Sequence, residues 1–106
     1  MPFTVYILQS IKLDKYYIGQ TYDLSERLEL HKTKYFKNSF TAKADDWTLV
    51  FTLPCESRDE ALYIEKYIKR MKSRKYIENL IKEPERSNKI RDRFRGSLVQ
   101  SRSRKP

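Results

Sequence analysis

The sequence predicts a small α+β protein in which helices flank a three-stranded, largely antiparallel sheet, in the order β-β-α-β-α-α, followed by a basic C-terminal tail. Three runs of aromatic and β-branched residues predict the strands, and capping residues ahead of amphipathic segments predict the helices. The chain has 106 residues, of which 39% are apolar, so it has material for one domain with one core.

The strands are predicted from residue type and from the turn signals between them. Residues 3–8 and 16–21 are expected to pair as a β-hairpin across a polar turn. The third strand is predicted at residues 47–53, and Pro54 is expected to end it, since its missing backbone N–H suits the exit of a strand or the edge of a sheet. The polar residues 33–46 are predicted to form the loop that precedes it.

The first helix is predicted after the hairpin. Asp23 with Glu26 three residues later is the pattern of a helix N-terminus, and it predicts a helix over residues 24–32. Leu24 and Leu28 lie on one face of that helix and indicate the side that packs against the sheet.

Two further helices are predicted after the third strand. Ser57 with Glu60 is a second capping box, and the helix that it opens is expected to run to about Met71. Ser73 then predicts another helix over residues 74–82.

The charge of the chain is unevenly distributed. Its 23 Lys and Arg residues exceed its 14 Asp and Glu residues by nine, and residues 84–106 hold 8 of those cations but only 2 of the acids. Pro84 is expected to end the last helix, and the tail has few apolar residues. We therefore predict a domain at residues 1–83 and a disordered basic tail at residues 84–106.

Composition also excludes several classes of protein. The single cysteine, Cys55, cannot form an internal disulfide, and no apolar run approaches the roughly 20 residues that a membrane span requires. No secretory leader is recognisable at the start, so we expect a cytoplasmic protein with no membrane partner. The excess of cations makes nucleic acid the leading partner.

Charged residues interrupt the apolar faces of two helices. On an ideal helix, Arg27 and His31 fall on the same face as Leu24 and Leu28. Burying an unpaired charge costs several kcal/mol, so these side chains need partners or a wet cleft. They indicate a functional site, although an ordinary structural histidine at a helix end is the alternative for His31.

The second helix has the same irregularity. Glu65 and Lys72 are predicted to fall within the stripe formed by Ala61, Ile64 and Ile68. An ion pair of Glu65 with Lys69 or Arg27 would explain the glutamate without any function. Four such groups on two helices nevertheless favour a site over a purely structural arrangement.

These residues together resemble the GIY-YIG nuclease domain. The resemblance covers residues 3–82 and is greatest to the small stand-alone bacterial members, which are related to the N-terminal domain of the excision-repair incision nuclease. The chain departs from the first motif, which reads Thr-Val-Tyr here. The matching elements are Thr4-Val5-Tyr6, Tyr17-Ile18-Gly19, Arg27, His31 and Glu65.

The resemblance implies a divalent-metal-dependent endonuclease that hydrolyses phosphodiesters in DNA, in repair or processing. It implies that Glu65 binds Mg²⁺ or Mn²⁺ and that Arg27 contacts the scissile phosphate. It further implies that Tyr6, Tyr17 and His31 handle the attacking water and its proton.

Several cations follow Glu65 closely and are candidates for binding the nucleic-acid backbone, with a solvated helix end as the alternative. They are Lys69, Lys72, Arg74 and Lys75. DNA is favoured over RNA as the substrate, and a protein partner is left open. A catalytically silent nucleic-acid-binding module of the same fold is the main alternative function. A ribosome-associated or RNA-packaging protein would explain the charge but not the site residues.

Overall fold

The computed structural model describes residues 3–32 and 44–103, with side chains described over residues 3–30 and 44–97. Three antiparallel strands form one sheet in the order β2-β1-β3, and they span Phe3–Ser10 (β1), Lys15–Thr21 (β2) and Thr48–Cys55 (β3). The predicted fold class and the predicted hairpin are therefore confirmed. The third strand differs from its prediction, because it continues through Pro54 to Cys55.

The central strand β1 is buried on both faces. Val5 and Ile7 face the main core, whereas Tyr6 and Leu8 point to the other face and are equally buried. Tyr6 pairs with Gly19 of the edge strand β2. The side chain of Tyr6, in the middle of the sheet, thus has no side chain beside it on the edge strand, because its partner is glycine.

Three helices begin and end where the sequence predicts: α1 (Leu24–Lys32), α2 (Arg58–Met71) and α3 (Arg74–Lys82). Each is capped by a side-chain oxygen that accepts a hydrogen bond from a backbone N–H at 3.0 to 3.1 Å, and the acceptors are Asp23, Ser57 and Ser73. Glu60 does not complete a reciprocal box with Ser57, because its carboxylate accepts from the N–H of Glu56 instead.

Helix α2 covers the face of the sheet that carries Val5 and Ile7. Its buried residues Ala61, Ile64 and Ile68 form one apolar cluster with that face. The cluster is completed by side chains from the following helices. No helix in the described part of the chain combines the length and apolarity that crossing a membrane requires.

The chain beyond residue 83 differs from the prediction of disorder. A 3₁₀ turn at Pro84–Arg86 leads into a fourth helix, α4, at Ser87–Ser103. Ile90 of α4 is only 1% exposed and belongs to the core cluster, and the ring of Phe94 lies 5.4 Å from that of Tyr63 on α2. Ile90 and Phe94 are one turn apart, so few apolar residues suffice to dock this helix. The division of the chain at residue 83 stays a prediction.

One arginine links α4 to the rest of the domain. Arg91 forms an ion pair with the buried carboxylate of Glu60 at 3.5 Å and donates a hydrogen bond to the carbonyl oxygen of Pro54. Helix α4 is thereby connected to the start of α2 and to the outer edge of β3.

The packing of α4 predicts a stability effect at Ile90. Replacing Ile90 by Ala should lower the free energy of unfolding by about 2 kcal/mol, because it removes buried methylene groups and leaves a cavity. Urea unfolding followed by circular dichroism measures the change. A variant as stable as the parent protein would mean that α4 does not pack as described.

Candidate active site

The site begins with the close approach of Tyr6 to Gly19. A Cβ atom added at Gly19 would lie 2.6 Å from the hydroxyl oxygen of Tyr6 and 2.7 Å from its Cζ, which is too close for any side chain. The phenol therefore lies directly over the glycine, and its hydroxyl extends from the central strand to the edge strand β2. Because the φ angle of Gly19 is not positive, space and not backbone conformation requires glycine here.

The second tyrosine lies beside the first. The ring centroids of Tyr6 and Tyr17 are 6.2 Å apart, and their side chains share a hydrogen bond. Burial raises the pKa of Tyr6 well above its ordinary value, and Tyr17 raises it further. Tyr6 is therefore a neutral phenol across the whole neutral pH range.

Two opposite charges act on this phenol. Arg27 of α1 lowers the pKa of Tyr6 and Glu65 of α2 raises it, although both effects are smaller than that of burial. Both charged groups therefore lie within electrostatic range of the hydroxyl. The structure therefore brings together four of the five predicted catalytic residues, from β1, β2, α1 and α2. The fifth, His31, belongs to α1, but its side chain lies outside the described residues.

Glu65 is the carboxylate of this group. Its side chain is 16% exposed, and its Oε2 lies 2.6 Å from the ammonium of Lys69 one turn later. This ion pair is the structural alternative that the sequence left open. It also engages the ammonium group of Lys69, a residue that the sequence predicted to contact nucleic acid.

The donor set around Glu65 limits which metal ions would fit. In residues 3–30 and 44–97, no three His, Cys, Asp or Glu side chains lie close enough together to bind one ion. Zinc, which needs three or four such ligands, does not fit that part of the chain. A single carboxylate does fit Mg²⁺ or Mn²⁺, because these ions keep several waters and take other ligands from a phosphate.

A basic cleft adjoins this carboxylate. It has a volume of about 520 Å³ and is lined by Lys69, Lys72 and Arg74. Three of the four predicted nucleic-acid contacts thus share one cleft, whereas Lys75 does not line it. Lys15 and Tyr16 also line it, and the sequence gave no signal for a role of Lys15.

Two residues of the cleft have structural roles as well. Arg74 forms an ion pair with Asp14 at 2.9 Å and lies 5.7 Å from the ring centroid of Tyr16, so it fixes the turn of the hairpin. Lys72 follows the end of α2 and has a left-handed backbone, with a φ of 47°. Its predicted position within the apolar stripe of α2 is therefore wrong, because the helix ends one residue earlier.

A second cleft lies on the other side of Arg27. It has a volume of about 280 Å³, and Arg58, Phe3 and Tyr22 line it together with Arg27. Tyr22 is well exposed and meets Phe3 edge to face at 6.2 Å. Arg58 was not predicted as a site residue, because it stands at the start of α2 with nothing in its sequence context to mark it.

The raised pKa of Tyr6 predicts a pH dependence of stability. A raised pKa means that the folded state favours the neutral phenol. The contribution of the Tyr6 hydroxyl to the free energy of unfolding is therefore complete below about pH 10 and falls as the pH rises further. Between about pH 9 and about pH 11, the free energy of unfolding should therefore fall less in Tyr6→Phe than in the parent protein. Denaturant titrations of both proteins measure this, and parallel losses would contradict it.

Comparison with known proteins places this geometry in context. The model of the GIY-YIG catalytic domain matches residues 2–79. Among solved structures, the chain is similar to a UPF0213 protein from Bacillus halodurans determined by solution NMR, with 29% identity and a TM-score of 0.50. That similarity covers 77% of this chain and 84% of the other. No curated protein matches the sequence.

Proposed function

This chain belongs to the GIY-YIG family, a nuclease family, and we propose on that basis that it is a divalent-metal-dependent endonuclease that cleaves DNA. The observation that carries the proposal is that Tyr6 and Tyr17 meet over Gly19, within electrostatic range of Arg27 and Glu65. Phosphodiester hydrolysis needs a positioned water, a route for its proton and positive charge for the phosphate oxygens. The two tyrosines can position the water and carry its proton, and Arg27 can supply positive charge together with a metal ion held by Glu65.

Arg27 is the proposed phosphate ligand. Its planar guanidinium can donate two parallel hydrogen bonds to phosphate oxygens, which a lysine cannot do. It is partly exposed and lines a cleft, so a phosphate can reach it from solvent. Together with a metal ion bound to Glu65, it would hold the scissile group next to the tyrosine hydroxyls.

Glu65 is the proposed metal ligand. A Mg²⁺ or Mn²⁺ ion bound there would supply positive charge to the phosphate and the leaving oxygen. Because Lys69 bonds the same carboxylate, its ammonium would have to move aside or share the oxygens. A displaced Lys69 would remain in the basic cleft, where it could bind the next phosphate of the strand.

Tyr6 is the proposed contact of the attacking water, which would have to enter beside the partly exposed Tyr17 because Tyr6 is itself buried. As a neutral phenol it accepts a hydrogen bond through a lone pair and donates its own proton onward. It would therefore relay the proton of the water and would not act as a phenolate base. Tyr17, which hydrogen-bonds Tyr6, would orient it, and His31 is the candidate that finally accepts the proton.

The basic cleft next to Glu65 is the proposed path of the substrate strand, and Lys72 allows a selective test. Replacing Lys72 by Gly removes the cation while giving the left-handed position its preferred residue. We expect weaker DNA binding and a protein at least as stable as the parent. The slope of log affinity against log salt concentration should become less steep by the amount that about one phosphate contact contributes.

The control for this change is Lys72→Gln, which removes the same charge without relieving the backbone. It should weaken binding equally, as measured by fluorescence anisotropy at several salt concentrations. Lys82→Gln removes an exposed cation of α3 that lines none of the described clefts, and it should bind DNA like the parent protein. Equal losses in all three variants would exclude a defined path.

The activity itself is tested by incubating the purified protein with labelled single-stranded, duplex and branched DNA and with matching RNAs. Each substrate is combined with Mg²⁺, Mn²⁺ or EDTA. Cleavage of DNA that requires the metal supports the proposal. Binding without cleavage under every condition would instead identify a silent nucleic-acid-binding module.

A further inference from the structure

A further pocket, apart from the two clefts described above, lies between α2, α3 and α4. Its volume is about 220 Å³, and the buried side chains of Leu80 and Ile90 are part of its lining. The polar part of the lining consists of two phenols, one amide and three cations: Tyr67, Tyr76, Asn79, Arg86, Lys89 and Arg93. No acidic side chain lines it among the described residues, so an anion would meet only positive charge and neutral donors.

This pocket is separate from the proposed active site. Tyr67 and Glu65 are two positions apart on α2, so they point to nearly opposite sides of the helix. The three cations all follow residue 79, where the family match ends. They are carried by the 3₁₀ turn and by α4. The cations of the pocket therefore come from the C-terminal part of this chain, whereas its phenols and amide come from α2 and α3.

The aromatic side of the pocket is already arranged for flat ligands and cations. The rings of Tyr67 and Tyr76 have centroids 6.4 Å apart, and the guanidinium of Arg93 lies 5.8 Å from the centroid of Tyr67. Burial raises the pKa of Tyr76, so its hydroxyl is a neutral hydrogen-bond donor. An aromatic base can stack on such a surface while its polar edge meets Asn79.

The cations are placed to receive a phosphate beside that surface. Lys89 and Arg93 are one turn apart on α4 and face the same way. Arg86 is held by Glu83 at 2.7 Å, which fixes its position at the rim. An isolated acidic side chain would use these cations but leave the tyrosines unused. A nucleotide uses both.

We propose that this pocket binds one nucleotide, with the phosphate between Lys89 and Arg93 and the base on Tyr67 and Tyr76. The volume is below the range of about 300 to 1,000 Å³ that is common for drug-sized ligands, so the pocket would enclose part of a nucleotide and leave the rest at its rim. Two sources offer this ligand chemistry, a free mononucleotide and an unpaired residue of a nucleic-acid strand. The proposal does not depend on cleavage.

The test is a binding titration of the full chain in EDTA, which prevents any metal-dependent cleavage. Thymidine and adenosine 5′-monophosphates, a short single-stranded oligonucleotide and inorganic phosphate are the probes, and calorimetry gives each dissociation constant. The variants are Lys89→Gln and Arg93→Gln. The matched control is Arg95→Gln, because Arg95 is exposed, lies two positions from Arg93 on α4 and does not line the pocket.

We expect Lys89→Gln and Arg93→Gln to raise the dissociation constant of a mononucleotide about tenfold or more, and Arg95→Gln to leave it unchanged. Inorganic phosphate should bind more weakly than either mononucleotide. An oligonucleotide that binds more tightly than the monophosphates, with the same loss in Lys89→Gln, identifies a strand as the source. Equal affinity identifies free nucleotides.

Several results would overturn the proposal. Equal losses in all three variants would indicate general charge attraction, and phosphate as tight as the monophosphates would indicate an anion site without base recognition. No binding of any nucleotide would also exclude it. Thermal unfolding checks that each variant is folded. A Glu65→Gln protein should still bind nucleotides, so failure of the proposed nuclease activity is distinguishable from failure of this site.

Discussion

Replacing Glu65 by Gln should lower the rate of metal-dependent DNA cleavage by about 10³-fold, because the metal that it is proposed to hold supplies several kcal/mol of transition-state stabilisation. The substitution keeps the size of the side chain and its position on α2. Single-turnover cleavage of a labelled substrate with Mg²⁺ or Mn²⁺ measures the effect. DNA binding in EDTA should not weaken, since a negative charge has been removed from the site.

The control for this variant is Glu85→Gln, which removes an exposed carboxylate that lines none of the described clefts. It should cleave at the parent rate. If Glu65→Gln also cleaves at the parent rate, Glu65 is not the metal ligand, and its ion pair with Lys69 would be its whole role.

Replacing Gly19 by Ala should impair both stability and cleavage, because the new Cβ would overlap the hydroxyl of Tyr6. Tyr6 is fully buried, so its ring cannot move aside freely. We expect a loss of about 1 to 3 kcal/mol in the free energy of unfolding. Displacing the phenol from its position over the edge strand should slow cleavage by about 10²-fold.

Gly96→Ala is the matched control for this substitution. A Cβ at Gly96 would meet nothing within 4 Å, and alanine favours the helix there, so stability should rise by about 0.5 to 1 kcal/mol. Combining Gly19→Ala with Tyr6→Leu tests the cause, since the cost of Gly19→Ala should shrink once the phenol is gone. If Gly19→Ala costs as much stability in the Tyr6→Leu background, the cost comes from contacts with residues other than Tyr6.

The parts of the fold that were predicted from the sequence depend on local signals. Asp23, Ser57 and Ser73 marked the starts of three helices, and their side chains make the expected capping bonds. The hairpin followed from residue type and turn composition. In each case, the information lies within a few residues of the element it specifies.

The parts that were not predicted depend on distant contacts. Helix α4 docks because Phe94 meets Tyr63 of α2, 31 positions earlier, and Ile90 joins the core cluster, whereas composition alone made this segment resemble a disordered tail. Lys72 was placed by helix periodicity, which cannot show that the backbone turns left-handed at that residue. Tertiary packing decides both features.

The candidate site shows the same division. Helix periodicity identified Arg27 and Glu65 as charges on apolar faces, and the structure places both near Tyr6. Periodicity could not decide between Lys69 and Arg27 as the partner of Glu65, nor show that Arg58 joins Arg27 at a second cleft. The pairing of Glu65 with Lys69 lies within one turn of α2, whereas the cleft shared by Arg27 and Arg58 depends on how α1 and α2 are placed against the sheet.

Pro54 has a consequence for the behaviour of this protein at high concentration. A proline on the outer strand offers no N–H, and its carbonyl oxygen already accepts from Arg91 of α4. A strand from another molecule would therefore find neither a donor nor a free acceptor at that point. The β3 edge is protected against intermolecular sheet growth, so resistance to amyloid-like aggregation depends on the C-terminal helix remaining docked.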